Sequence, residues 1–142
     1  MATSNNPTGR YIVRPDGKVV PEPDLLTWAM WMETGDFVVK QEHFGGTEEA
    51  PEYMVSTIFL GLDYNMMRQG PPLLWETMAF KYLKEPKEFL GRKYFREPLF
   101  TERCSGNREQ AEAMHAAMVA KIEALINERE NQNAGRISGA IQ

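Results

Sequence analysis

The sequence predicts an α+β fold: an antiparallel β-sheet with two helices packed on it and a short N-terminal hairpin. Three observations predict it. First, the stretch Val55–Phe80, VSTIFLGLDYNMMRQGPPLLWETMAF, places two alternating patterns on either side of a compact loop. Val55, Thr57 and Phe59 separate from Ser56, Ile58 and Leu60, as Leu73, Trp75 and Thr77 separate from Leu74, Glu76 and Met78. Second, Leu25, Trp28, Ala29 and Met32 recur at helical spacing. Third, Ala111, Met114, His115, Met118, Ile122, Leu125 and Ile126 form a longer stripe at steps of three and four. Strands in a run with helices outside them pack as a sheet covered on one face.

In chain order, residues 1–10 are polar and read as a flexible arm. Tyr11–Arg14 and Lys18–Val20 bracket Pro15-Asp16-Gly17, a hairpin signal. Pro21 and Pro23 end the pairing, because proline has no N–H for a ladder. Asp24 is placed to cap the first helix, and Gly35 sits where a left-handed C-terminal cap is expected. Trp31 projects about 100° from Trp28, so the helix either buries a wide arc or turns Trp31 toward a pocket or partner. Phe37–Phe44 reads as a strand, and Gly45–Pro51 as a loop. Tyr53–Leu62 and Leu73–Phe80 are the central strands. Lys81–Lys93, polar and holding Pro86 and Gly91, reads as a surface excursion, and Tyr94–Cys104 as a last strand. Asn107 with Gln110 forms a capping box at the start of the second helix. Residues 11–129 thus make one domain, and the Asn-, Gln-, Gly- and Ser-rich 130–142 a disordered tail. Trp28, Phe59, Trp75 and Met118 are the expected core.

Composition narrows the function classes. A chain of 142 residues with 42% hydrophobic side chains has room for one core. Its net charge of −4 disfavours duplex nucleic acid, which calls for a basic face. Cys104 is the lone cysteine, so no internal disulfide or thiolate cluster can form and a reducing compartment is expected. No apolar run approaches the roughly 18 residues of a membrane span, and the N-terminus lacks the apolar core of a signal peptide. A soluble, cytoplasmic protein without a cofactor is expected.

Candidate chemistry is sparse. His115, within an apolar stripe, reads as a hydrogen-bonded packing residue and His43 as solvent-facing. Two histidines and one cysteine supply no recognisable zinc set. Cys104 precedes a helix start but has no evident base, and no phosphate-loop pattern occurs. Asp63 with Glu76 is the one carboxylate pair that could be sketched for hydrolysis. The loop Asp63–Gly70 gathers an acid, a phenol, an amide and a guanidinium; its plain alternative is a turn in which Asp63 and Asn65 bond their own backbone. Met66 and Met67 at its tip suggest contact with another chain or with this domain's own helices.

LLTWAMWMETGDFVV (Leu25–Val39), VSTIFLGLDYN (Val55–Asn65), GPPLLWETMAF (Gly70–Phe80) and AEAMHAAMVAKI (Ala111–Ile122) together resemble a family of small, mostly uncharacterised proteins of phages and prophages. The resemblance covers most of residues 11–126. Family members carry a Leu-x-x-Trp-Ala-x-Trp helix, a Val-Ser-Thr-x-Phe-Leu-Gly-x-Asp strand and a Gly-Pro-Pro strand ending Glu-Thr-Met-x-Phe. This chain has Tyr64 where histidine is usual and Trp75 where phenylalanine is usual, which removes a base or ligand from the loop. The resemblance implies provenance and transfers no catalytic role. With no catalytic set in view, the expected function is that of a non-enzymatic phage accessory protein antagonising host defence, most concretely a homo-oligomeric sponge for a signalling nucleotide. Trp31 or Tyr64 would stack on a base, Arg68 and Arg92 would neutralise phosphate, and Asn65 would bond base or ribose. The alternative is a module that binds a host or phage protein through an apolar surface.

Overall fold

A computed structural model describes residues 6–65 and 69–141, with side chains as far as 135. The elements are β1 (Tyr11–Val13), β2 (Val19–Pro21), α1 (Leu25–Thr34), β3 (Val38–Phe44), β4 (Tyr53–Phe59), β5 (Trp75–Phe89), β6 (Arg92–Cys104) and α2 (Arg108–Ile141). β1 and β2 form an antiparallel hairpin, and β3-β4-β5-β6 an antiparallel sheet in sequence order. The expected α+β class is the observed one.

Alternation along the central strands sorts the sheet into two faces. Val55, Thr57 and Phe59 on β4, with Trp75, Thr77 and Ala79 on β5, point toward α2, where they meet Ala111, Met118 and Ile122. Phe59, Trp75 and Met118 are buried as expected. Trp28 is only half-buried; its indole N–H donates to the Gly61 carbonyl at 3.0 Å, which also receives the Tyr11 N–H. Gly61 has φ +74°, and a Cβ there would meet the Met32 sulfur at 2.6 Å, so glycine is required where α1, β1 and the end of β4 converge.

Two of the three expected caps follow the sequence. Asp24 accepts from the Thr27 hydroxyl and from the Thr27 N–H at 2.9 Å, and these bonds, the hydroxyl's first, lower its pKa. Asn107 and Gln110 exchange hydrogen bonds, the Asn107 N–H donating at 2.8 Å and the Gln110 N–H at 3.1 Å. Gly35 departs from expectation. Its φ of −74° is extended rather than left-handed, and a Cβ would come within 2.9 Å of the Trp31 ring. Glycine serves there to let the chain pass the indole. The α1 face also differs from the expected one: Trp28, Ala29, Trp31 and Met32 turn inward over a wide arc, while Leu25 is exposed with Leu26 and Met30.

Three segments are more ordered than composition predicts. Asn6 and Gly9 are buried, and the Asp63 N–H donates to the Gly9 carbonyl, so the expected arm is tied down from residue 6. The expected surface excursion at 81–93 is strand. β5 and β6 continue past Lys81, the last β5 residue paired with β4, as a two-stranded hairpin turning at Leu90-Gly91. Pro86 lies where the register shifts between Tyr82 and Lys87, the place a strand tolerates proline. The helix backbone runs on to Ile141 through the segment expected to be a disordered tail.

Across the sheet end, the Arg129 guanidinium donates twice to Glu52, at 2.5 and 2.9 Å, which holds that carboxyl below its ordinary value near 4.5. Glu42 is lowered likewise, first by its hydrogen bond to His115. The stability these carboxylates contribute is present above their unfolded pKa and is lost as pH falls through the lower folded one. The urea midpoint is expected to drop between pH 7 and about pH 3. Glu52→Gln should narrow that difference; an unchanged difference would show that the Arg129 pair carries no acid sensitivity.

Candidate ligand-binding cleft

The expected ligand residues do not converge. Asn65 serves its own loop, its amide donating to the Gln69 carbonyl at 2.6 Å while the Asp63 carboxylate accepts from the N–H groups of Asn65 and Leu73. This is the backbone-bonded turn that sequence chemistry held as the plain alternative. Tyr64 is exposed, with the Arg103 guanidinium 4.9 Å from its ring centre. Arg103 in turn pairs with the buried Glu76 at 2.8 Å, so Glu76 is not a free carboxylate. Arg92 begins β6 beside the hairpin turn, eleven residues from Arg103 along one strand. That separates it from Tyr64 by more than about 30 Å. Arg68, with Met66 and Met67, lies outside the described residues.

Trp31 does face a cleft. A cavity of about 440 Å³ is lined by Ile12, Val13, Arg14 and Pro15 of the hairpin, Trp31 and Asp36 at the end of α1, and Arg108 opening α2. Each wall has a local cause. The Arg14 carbonyl accepts from Gly17, and the Arg14 N–H donates to Lys18, which folds the hairpin back. Trp31 packs edge-on against Phe59, 5.6 Å between centroids at 86°, so one side of the indole is held by the core. The Asn107–Gln110 box starts α2 beside this cleft and puts Arg108 in its first turn. The Arg108 contacts within the protein are long, 3.4 Å to Glu112 and 3.5 Å to the Val39 carbonyl. An indole, two guanidiniums and one carboxylate thus line a space within the roughly 300–1,000 Å³ of small-molecule sites. Sequence reasoning named Trp31 but missed Arg14 and Arg108. Their one signal is position: the end of a hairpin strand and the first turn of a helix, which only the tertiary fold brings together.

A second polar assembly lies inside the domain. Thr77, Thr57, His115 and Glu42 form a chain of hydrogen bonds: 2.5 Å between the threonine hydroxyls, 2.7 Å from Thr57 to His115 Nδ1, and 2.9 Å from His115 Nε2 to Glu42. One proton arrangement satisfies every member: Thr77 donates to Thr57, Thr57 to Nδ1, and Nε2–H to the Glu42 carboxylate. The order hydroxyl–imidazole–carboxylate resembles a hydrolytic triad, but both threonines are fully buried. A hydroxyl sealed from solvent has no route to a substrate. His115 is thus a buried, hydrogen-bonded residue, as the sequence predicts. His43 is exposed and stacks on Tyr82 at 5.9 Å. Burial raises the Cys104 thiol pKa, the opposite of a reactive thiolate.

Among the described residues, no group of three or more His, Cys, Asp or Glu side chains is gathered to hold a metal, and no helix is long and apolar enough to cross a membrane. Compared with known proteins, the chain matches no family model, no curated protein and no solved structure.

Proposed function

We propose that this chain is a non-catalytic phage accessory protein of the host cytoplasm that binds and sequesters a small signalling nucleotide in the cleft at Trp31, and so antagonises host defence. The observation that carries the reading is the placing of a core-braced indole and two guanidiniums around one cavity of about 440 Å³. The indole offers a stacking surface to a base, Arg14 and Arg108 offer forked donors to phosphate, and Asp36 accepts from ribose hydroxyls or base N–H groups. Such a site holds its ligand by donors positioned in advance, with nothing placed to break a bond. The phage provenance rests on the motif resemblance alone.

Isothermal titration with cyclic dinucleotides and cyclic ADP-ribose derivatives tests it, and saturable heat is expected from at least one. Arg14→Ala and Arg108→Ala, both at exposed positions, should each weaken binding about 10- to 150-fold, the equivalent of about 1.5–3 kcal/mol for a charge-assisted hydrogen bond. Uniformly flat heats would overturn the nucleotide reading. The second reading, a protein-interaction module, is favoured by exposed Phe89, Leu90, Tyr94 and Phe95 on the projecting hairpin. A stable protein partner recovered from host lysate without any small molecule would favour it.

A further inference from the structure

The projecting hairpin carries a conflict with local chemistry at its tip. Leu90 and Gly91 are the two turn residues, with φ of 51° and 76°. Two positive φ values at a two-residue turn suit Asn, Asp and Gly, while a branched apolar residue there is strained. Leu90 is nonetheless the residue present, it is 86% exposed, and Phe89, Tyr94 and Phe95 stand exposed beside it. A strained, solvated leucine is a poor choice for a free hairpin and a good one for an anchor.

The complementary surface lies at the other end of the molecule. The outward side of α1 exposes Leu25, Leu26 and Met30, with Leu26 70% exposed. Charge distinguishes the two surfaces. Hairpin residues 81–97 hold six Lys or Arg against three Glu, whereas 19–38, around α1, hold Glu22, Asp24, Glu33 and Asp36 and no basic residue. The hairpin cannot reach its own α1. α1 packs at the Phe59–Trp75 end of the sheet, and Phe89 lies fourteen residues along β5 from Trp75, about 45 Å at strand rise.

We infer that the partner of the projecting hairpin is the outer face of α1 in a second copy of this chain. Two copies side by side and antiparallel make the contact twice, tip of each on α1 of the other. Such a pair closes on itself as two-fold oligomers do, instead of growing into a filament. Apolar anchors form the centre of each contact, with basic hairpin residues opposite an acidic rim. This pairing does not depend on the nucleotide reading.

Sedimentation or light scattering of the full chain should give twice its 16.3 kDa at micromolar concentration, and added salt should weaken the pair. Leu90→Asn places a favoured residue in the turn and removes the anchor. It should keep cooperative unfolding while weakening pairing at least about 30-fold, the effect of losing a hot spot. Leu26→Lys with Met30→Lys, at exposed positions of α1, should do the same. The decisive arm mixes the two variants: the intact hairpin of one and the intact α1 of the other leave one good contact, so the mixture should pair where neither variant does alone. A wild-type monomer, a Leu90→Asn protein that still pairs like wild type, an α1 double variant that does so, or a mixture that stays monomeric would each overturn the proposal; the third would indicate tip-to-tip contact.

Discussion

Phe59→Ala is expected to lower the unfolding free energy by about 3–5 kcal/mol. The ring is 1% exposed and sits between two tryptophans, 5.6 Å from Trp31 and 4.9 Å from Trp75, each in edge geometry. Its removal forfeits apolar burial and both aromatic contacts, and leaves a cavity whose walls cannot collapse. One wall is the central sheet, fixed by its ladder, and another is α1, still anchored by the Trp28 indole bond to Gly61 but deprived of the Trp31–Phe59 contact. Small domains have about 5–15 kcal/mol in all, so the urea midpoint should fall steeply, with tryptophan emission shifting toward that of solvated indole. The same substitution frees the braced side of Trp31 and should weaken any ligand in the cleft. A loss of less than about 1 kcal/mol would mean that the aromatic cluster is not the keystone its geometry suggests.

His115→Ala is expected to cost about 2–4 kcal/mol by a different route. The imidazole is 2% exposed and is both the acceptor for Thr57 and the donor to Glu42. Without it, the Thr57 hydroxyl has lost its acceptor in a place with no exposure to water, while Glu42, half-exposed, can be rehydrated. Thr57→Val removes that stranded hydroxyl, so the double variant should lose about 1–2 kcal/mol less than the two single losses combined. Strict additivity in equilibrium unfolding would contradict the hydrogen-bond chain. Acid sensitivity should change as well. His115 is the leading cause of the lowered Glu42 pKa, so in His115→Ala that carboxyl moves back toward its unfolded value and contributes less of the stability lost on acidification.

Legibility varied with the range of the interaction involved. Asp24 and the Asn107–Gln110 box could be read because a cap is completed within three residues. The burial of Phe59, Trp75 and Met118 could be read because period alone sorts a strand or helix into faces. The hairpin beyond Lys81 was not legible as strand: it projects past β4, covers no core and so shows Lys, Glu and Pro86 where an alternating apolar face would otherwise announce it. The helix beyond Arg129 was missed for a similar reason, since no apolar stripe continues there and residues 130–135 are exposed. Gly35 was misjudged because the demand on it comes from the Trp31 ring passing overhead, a contact within one turn whose direction the residue type does not reveal.

The candidate cleft lies furthest from sequence. Trp31 could be singled out because its angle from Trp28 left it outside a narrow seam, but Arg14 and Arg108 belong to opposite ends of the chain and become neighbours only when α2 lies across the sheet. By itself the sequence determined the class of fold, the two caps and the buried faces of the central strands. Tertiary structure alone decided which side chains share a cavity, that Asn65 is spent on its own loop, and that an apolar tip and an apolar helix face stand at opposite ends. Periodicity and capping are written within a few residues of backbone, whereas a binding surface is a meeting of segments whose separation along the chain carries no record of their distance in space.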